Sequence, residues 1–164
     1  MSKVYELKIK NNDKMKIRTL ILSLLFVNFI SCDSKDIVAK TDLSTLDEQQ
    51  QLWESKGIDS YSFIQRISCF CTQEYTQPKE VVVQNGVIVS VAGVTYDADI
   101  HQSILTVDAR FDYIRKSLER DPEAFSVEYD ATSGFPTSFY FDFSFMIADE
   151  EIGYTFTDFT LQGT

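Results

Sequence analysis

The sequence predicts an α+β fold: an antiparallel sheet with two helices packed on one face, in the order α-β-β-β-α-β-β-β. Three observations carry this. From Tyr61 to Cys71 the chain alternates. Tyr61, Phe63, Ile67, Cys69 and Cys71 share one parity and Ser62, Arg66 and Ser68 the other, which is the period of a half-buried strand. Asn85-Gly86 stands between two valine-rich runs, and both central residues of a type I′ hairpin turn need positive φ. Val107, Phe111, Ile114 and Leu118 recur at helical spacing.

The elements follow in order. Thr45-Leu46-Asp47-Glu48 has the form of a capping box, so the first helix is expected from about Thr45 to Lys56, with Gly57 at its C-terminus. Leu46 and Trp53 share a face, and Trp53 is expected to anchor the helix on the sheet. The first strand runs from Tyr61 to about Thr72, and Gln73 to Lys79 is a loop. Glu80–Gln84 and Val87–Ala92 form the hairpin, and Gly93 to Gln102 is again loop. Thr106 caps the second helix, Val107 to Arg120, which Asp121-Pro122 stops. Phe125, Val127 and Tyr129 alternate in the next strand. Phe139, Phe141, Phe143 and Phe145 alternate with Tyr140, Asp142 and Ser144, giving a strand with an aromatic face as floor for the second helix. A last strand holds Tyr154 and Phe156 and ends near Leu161. The helix-plus-three-strands unit thus occurs twice, and the hairpin-length connections imply antiparallel pairing.

At 164 residues there is room for one domain. Residues 1–31 hold six Lys or Arg and two Asp or Glu, which leaves nine basic and 23 acidic groups, a net of −14, for residues 32–164. Such a surface repels nucleic acid and anionic headgroups, so no nucleic-acid partner is expected.

The basic Lys16-Ile17-Arg18 followed by the apolar run Thr19 to Ile30 is the layout of a secretory signal, too short for the roughly 20 residues of a membrane span. Met15 would open a more compact leader than Met1. Phe29-Ile30-Ser31-Cys32 resembles the lipobox of bacterial lipoproteins, with Phe29 and Ile30 departing from its usual residues. The resemblance implies diacylation of Cys32, with palmitate-type chains that hold the protein to a bilayer, each buried methylene contributing about 0.8 kcal/mol. The charged run Asp33-Ser34-Lys35-Asp36 is partly like a surface-sorting signal, so the periplasmic and the surface side both stay open. The expected organisation is a lipoprotein signal peptide over 1–31, a lipidated tether over 32–43 and one α+β domain over 44–164.

A second resemblance rests on Trp53, Gly57-Ile58, Tyr61, Phe63, Cys69-Phe70-Cys71, the valine hairpin with Gly86, Phe111, Tyr129-Asp130, Gly134-Phe135-Pro136-Thr137 and Asp142. These residues resemble a family of small bacterial secreted proteins classed as domain of unknown function 6174, over about residues 45–160. Phe135 stands where that family's pattern has Tyr. The resemblance implies an exported, lipoprotein-like domain and brings no catalytic residues with it.

Two groups of side chains have chemistry of their own. With Cys32 lipidated, Cys69 and Cys71 are an even pair in an oxidising compartment, and a disulfide is expected. Residues i and i+2 of a flat strand lie about 6.5–7 Å apart, at the limit for bridging, so the strand must bulge or end near Phe70. Free buried thiols, or a soft-metal or redox site, are the alternatives. Asp97, Asp99 and His101 would lie on one side of an extended loop, a weak candidate for a divalent cation against the plainer reading of a solvated loop. No phosphate loop, dinucleotide fingerprint or nucleophile elbow occurs. The expectation is a non-enzymatic, membrane-anchored lipoprotein of the cell envelope, at the outer membrane by preference, without cofactor, that binds or scaffolds another envelope protein. The alternative is a small thiol- or metal-dependent envelope factor that uses Cys69 and Cys71 or the Asp97–His101 loop.

Overall fold

The computed structural model describes residues 34–147 and 149–162. The expected signal peptide and Cys32 lie outside the described residues. The chain runs through α1 (Ser34–Lys56), β1 (Tyr61–Ser68), a single turn α2 (Gln73–Thr76), β2 (Lys79–Gln84), β3 (Val87–Val91) and β4 (Val94–Thr95). It continues through α3 (Val107–Leu118), β5 (Ala124–Tyr129), β6 (Pro136–Asp142) and β7 (Ile152–Leu161). The expected fold class holds, with α2 and β4 as two short additions.

All seven strands form one antiparallel sheet in the order β4-β3-β2-β1-β7-β6-β5. Hairpins build each half, because short connections leave antiparallel pairing as the only option. Asn85 and Gly86 have φ 51° and 75°, so this pair makes the turn its residue types specify. The halves meet where the first strand pairs with the last, Ile64 opposite Thr157 and Ser68 opposite Gly153. β1, β2 and β3 run from the centre outward, whereas β5, β6 and β7 run from the edge inward, so the repeated unit is not repeated in its placement.

Both helices lie on one face. Trp53 of α1 meets Tyr61 edge-on at 5.7 Å, and Arg110 of α3 lies over Phe63, the next inward residue of the same strand. The core is largely aromatic. Phe135 stacks on Phe159 at 4.3 Å beneath Trp53, and Tyr113 covers Phe139 and Tyr154 at 5.4 and 5.6 Å. Each such side chain removed from water contributes about 1.5–3 kcal/mol. Val107, Phe111, Ile114 and Leu118 are all buried, and the Thr106 hydroxyl accepts the Ala109 N–H at 3.1 Å as the N-cap of α3.

Three expectations need correction. α1 starts at Ser34, so the capping-box residues are inside it, and the stretch read as a tether is helical from Ser34 onward. The physical reason is that Leu43 extends the Leu46–Trp53 stripe by one turn and packs on the core. The strand from Tyr61 stops at Ser68 rather than near Thr72. Phe145 is not part of the aromatic floor: β6 ends at Asp142, and Phe145 stands 69% exposed in the following loop.

The covered face also buries polar groups. Gln65, 1% exposed, donates from Nε2 to the Ser103 carbonyl at 2.8 Å and accepts the Leu105 N–H at 3.3 Å, which pins the loop before α3 onto the sheet. The Tyr61 hydroxyl accepts the Val107 N–H at 3.0 Å, and Trp53 donates to Asp108 Oδ1 at 3.1 Å. These contacts satisfy groups at the α3 N-terminus that its own turns leave unpaired.

Candidate functional site

β1 is the central strand, and where it ends the chain makes an exposed excursion. Cys69 and Cys71 are joined as a disulfide with their Cα atoms 5.2 Å apart. The strand has already ended at Ser68, and the bend at Cys69 and Phe70 supplies the shortening that a flat strand lacks. Cys69 is half-buried, Cys71 is exposed, and Phe70 between them is 84% exposed. After them, α2 is held by its own turn, with Tyr75 and Thr76 donating backbone N–H groups to the Thr72 carbonyl at 3.0 and 3.3 Å. Lys79 Nζ donates to the carbonyls of Glu74 and Tyr75 at 2.9 and 3.3 Å, a cation on a helix C-terminus.

A recess lies on each side of this excursion. One is a groove of about 450 Å³ lined by Arg66, Ile67, Ser68, Cys69, Thr76 and Thr155. Arg66, Ser68 and Thr155 belong to the sheet face that carries no helix among the described residues, so the groove opens onto that face. Its lining holds one cation, three hydroxyls and no acid, in a chain of net charge −10. The other is a cleft of about 240 Å³ between Thr72, Glu74, Tyr75 and Lys79 on one wall and Ile100, His101, Ser103 and Ile104 on the other.

The bare sheet face continues from the groove. Ser62, Ile64, Arg66 and Ser68 of β1 lie beside Thr155 and Thr157 of β7, then Ser138 and Tyr140 of β6. Gly153 lies between Ser68 and Tyr140: a Cβ there would make ordinary contacts, 3.6 Å from Tyr140 Cδ2 and 3.5 Å from Ser68 Cβ. The surface is therefore low, with short hydroxyl side chains in its middle.

The Asp97–His101 loop does not form the extended ligand row the alternation suggested. It is a turn, with the N–H groups of Ile100 and His101 both donated to the Asp97 carbonyl. His101 Nδ1 accepts the Asp97 N–H at 3.1 Å, Asp97 Oδ1 accepts the Asp99 N–H at 2.9 Å, and the imidazole stacks on Tyr96 at 5.7 Å. His101 Nδ1 and Asp97 Oδ1 are thus engaged by the loop's own backbone. Among the described residues, no three His, Cys, Asp or Glu side chains come together as a metal-holding group.

The residue that sequence reading missed is Arg110. It is fully buried, its guanidinium 3.4 Å from the Phe156 ring centroid and 4.1 Å from that of Phe63. Nη1 donates to the Pro136 carbonyl at 3.3 Å, while Nε and Nη2 find no hydrogen-bond partner among the described residues. Burial lowers its pKa to about 9. The signal was available: Arg110 falls three after Val107 and four before Ile114, on the apolar stripe. Asp42 of α1 is a second such group. Its Oδ2 is buried without a partner among the described residues, and burial raises its pKa.

Residues 45–161 match the model of a family of unknown function, DUF6174. The chain belongs to this family. No curated protein and no solved structure is similar to it. The DUF6174 domain therefore spans α1 from Thr45 through β7, and takes in the disulfide, both recesses and Arg110. Among the described residues no helix is long and apolar enough to cross a membrane.

Proposed function

We propose that the chain is an exported lipoprotein, held to a bacterial envelope membrane by acyl chains on Cys32, whose DUF6174 domain is a non-enzymatic module binding another envelope protein through the bare sheet face. The observation that carries this reading is the contrast between the two faces. Buried polar groups on the covered face are spent on structure, as with Gln65 on the α3 loop and Tyr61 on the α3 N-terminus. The bare face carries no further element among the described residues and is lined by Ser62, Arg66, Thr155, Thr157 and Ser138, with Ile64 as its apolar centre. A broad low surface with a few apolar and cationic points suits a protein surface better than a small molecule, which needs a concave pocket with converging polar groups.

Two measurements test the two halves. Cys32→Ala in the full chain is expected to abolish acyl labelling and release the protein from the membrane fraction; retention would remove the lipid anchor. A photo-crosslinking residue at Ile64 or Thr157 is expected to give one discrete adduct in cells, and one at Lys116, exposed on α3, none. Equal adducts from both faces, or none from either, would sink the sheet-face reading.

A further inference from the structure

We propose that the Cys69–Cys71 disulfide is a thiol–disulfide exchange site whose substrate is a peptide segment carrying two thiols. The two sulfurs stand in different surroundings. Cys71 is exposed at the tip, where a thiolate can approach along the S–S axis. Cys69 is half-buried and lines the groove with Arg66, Ser68, Thr76 and Thr155. The Arg66 guanidinium has no ion pair or hydrogen bond among the described residues, so its charge is free to favour a thiolate formed on Cys69. Phe70, 84% exposed between the cysteines, offers an incoming peptide an apolar contact. The loop is also anchored on both sides of the sulfur bridge. β1 holds one end, and the α2 turn and Lys79 hold the other, so two reduced sulfurs stay close enough to close again.

The exchange proceeds in two steps. A substrate thiolate attacks Cys71 Sγ; the Cys69–Cys71 bond breaks, and its electron pair leaves on Cys69 Sγ as a thiolate, at the groove that Arg66 also lines. The substrate's second thiolate then attacks the substrate sulfur of the mixed disulfide and expels Cys71 Sγ as a thiolate. Two electrons pass from the peptide to the protein, and the two protons lost by the peptide thiols reach the protein thiolates through water. The substrate leaves as a disulfide and the protein as a dithiol, one for one. The groove shares Arg66, Ser68 and Thr155 with the bare face, but the exchange is read with the protein and a peptide alone, so its failure leaves the sheet-face reading to the crosslinking result.

The test uses the full chain in its oxidised form and a short synthetic peptide with two cysteines. The reference is an oxidised synthetic peptide of residues 66–77. The folded protein is expected to oxidise the dithiol at least about tenfold faster than the reference, because the leaving sulfur is stabilised by its neighbours. Arg66→Glu, an exposed change whose folding circular dichroism checks, is expected to remove most of that advantage. With a single-thiol peptide in excess, mass mapping, which also separates Cys32, is expected to find the mixed disulfide on Cys71. A rate no faster than the reference, an Arg66→Glu protein as fast as the parent, or an adduct on Cys69 would each overturn the proposal.

Discussion

The two faces of this one sheet are written into the same strands, and they obey different rules. Along β1, Tyr61, Phe63, Gln65 and Ile67 are buried under the helices, while Ser62 and Ile64 are half-exposed and Arg66 and Ser68 exposed. Along β6, Phe139 and Phe141 are buried and Tyr140 between them is not. The covered face has aromatic rings in contact with rings, and the bare face has hydroxyls in contact with water. Stability is concentrated on the first, which leaves the second free to be shaped by what it meets.

The largest test of that contrast compares adjacent residues. Phe141, fully buried and stacked on Phe125 and Phe143, is expected to cost about 3–5 kcal/mol when changed to Ala. Tyr140→Ala, one residue away on the bare face, is expected to cost about 1 kcal/mol or less. Urea unfolding of both variants measures this. Similar losses at the two positions would mean that the bare face is packed against something and that the contrast is wrong.

Next in size is Arg110, the polar exception on the covered face. Taking a cation out of water costs several kcal/mol, and two ring contacts return about 2 kcal/mol each at most. With no acid beside it among the described residues and two N–H groups unpaired, desolvation wins. Arg110→Met, which keeps the volume, is therefore expected to be neutral or up to about 3 kcal/mol more stable. Arg110→Ala leaves a void between Phe63 and Phe156 and is expected to lose about 3 kcal/mol. Thermal and urea melts of the pair decide it, and a large loss with Met would show that the charge itself holds the core.

The sequence made the covered face legible where periodicity was clean. The alternation of Phe139 and Phe141, the helical spacing of Val107 to Leu118 and the Asn85-Gly86 turn each follow from local chemistry, and the structure has them. It was less legible where a residue's fate depends on distant neighbours. The polar run before Thr45 gave no sign of helix, and Leu43, which packs on the core, is a single apolar residue without a periodic pattern around it. α2 and β4 are too short to leave a periodic trace, and β4 exists only because β3 offers it a partner. The Asp97–His101 loop looked like a ligand row because alternation was assumed, whereas the hydrogen bonds that fold it are between neighbours. At the candidate site the Cys69–Cys71 pairing was expected from the even pair left beside Cys32, against a spacing at the limit for bridging, but the groove that Arg66 lines required the pairing of β1 with β7.

The smallest effect is nil at neutral pH and separates the faces only in alkali. Tyr61, Tyr113, Tyr129 and Tyr154 on the covered face all have raised pKa values, in each case first through burial. In the unfolded chain these phenols ionise near pH 10. A folded pKa above the unfolded one means that the folded state binds more protons, so the stability these groups contribute is fully present below about pH 10 and is lost as pH rises through the folded values. Arg110 acts in the opposite sense. Its folded pKa is lowered to about 9, so above that pH the folded state sheds a proton that the unfolded chain keeps, and stability rises. Four phenols oppose one guanidinium, and net loss is expected above about pH 10. Phenolate absorbance from the four should therefore appear together with the loss of far-ultraviolet ellipticity, not ahead of it. Tyr140 on the bare face has a raised pKa too, first through slight burial and then through the charges of Asp142 and Glu151. Salt screens that charge contribution but not the burial of the other four. Raising the ionic strength should thus bring the Tyr140 ionisation to lower pH by more than that of the four buried phenols, and a uniform response of all five would mean that the two faces are equally wet.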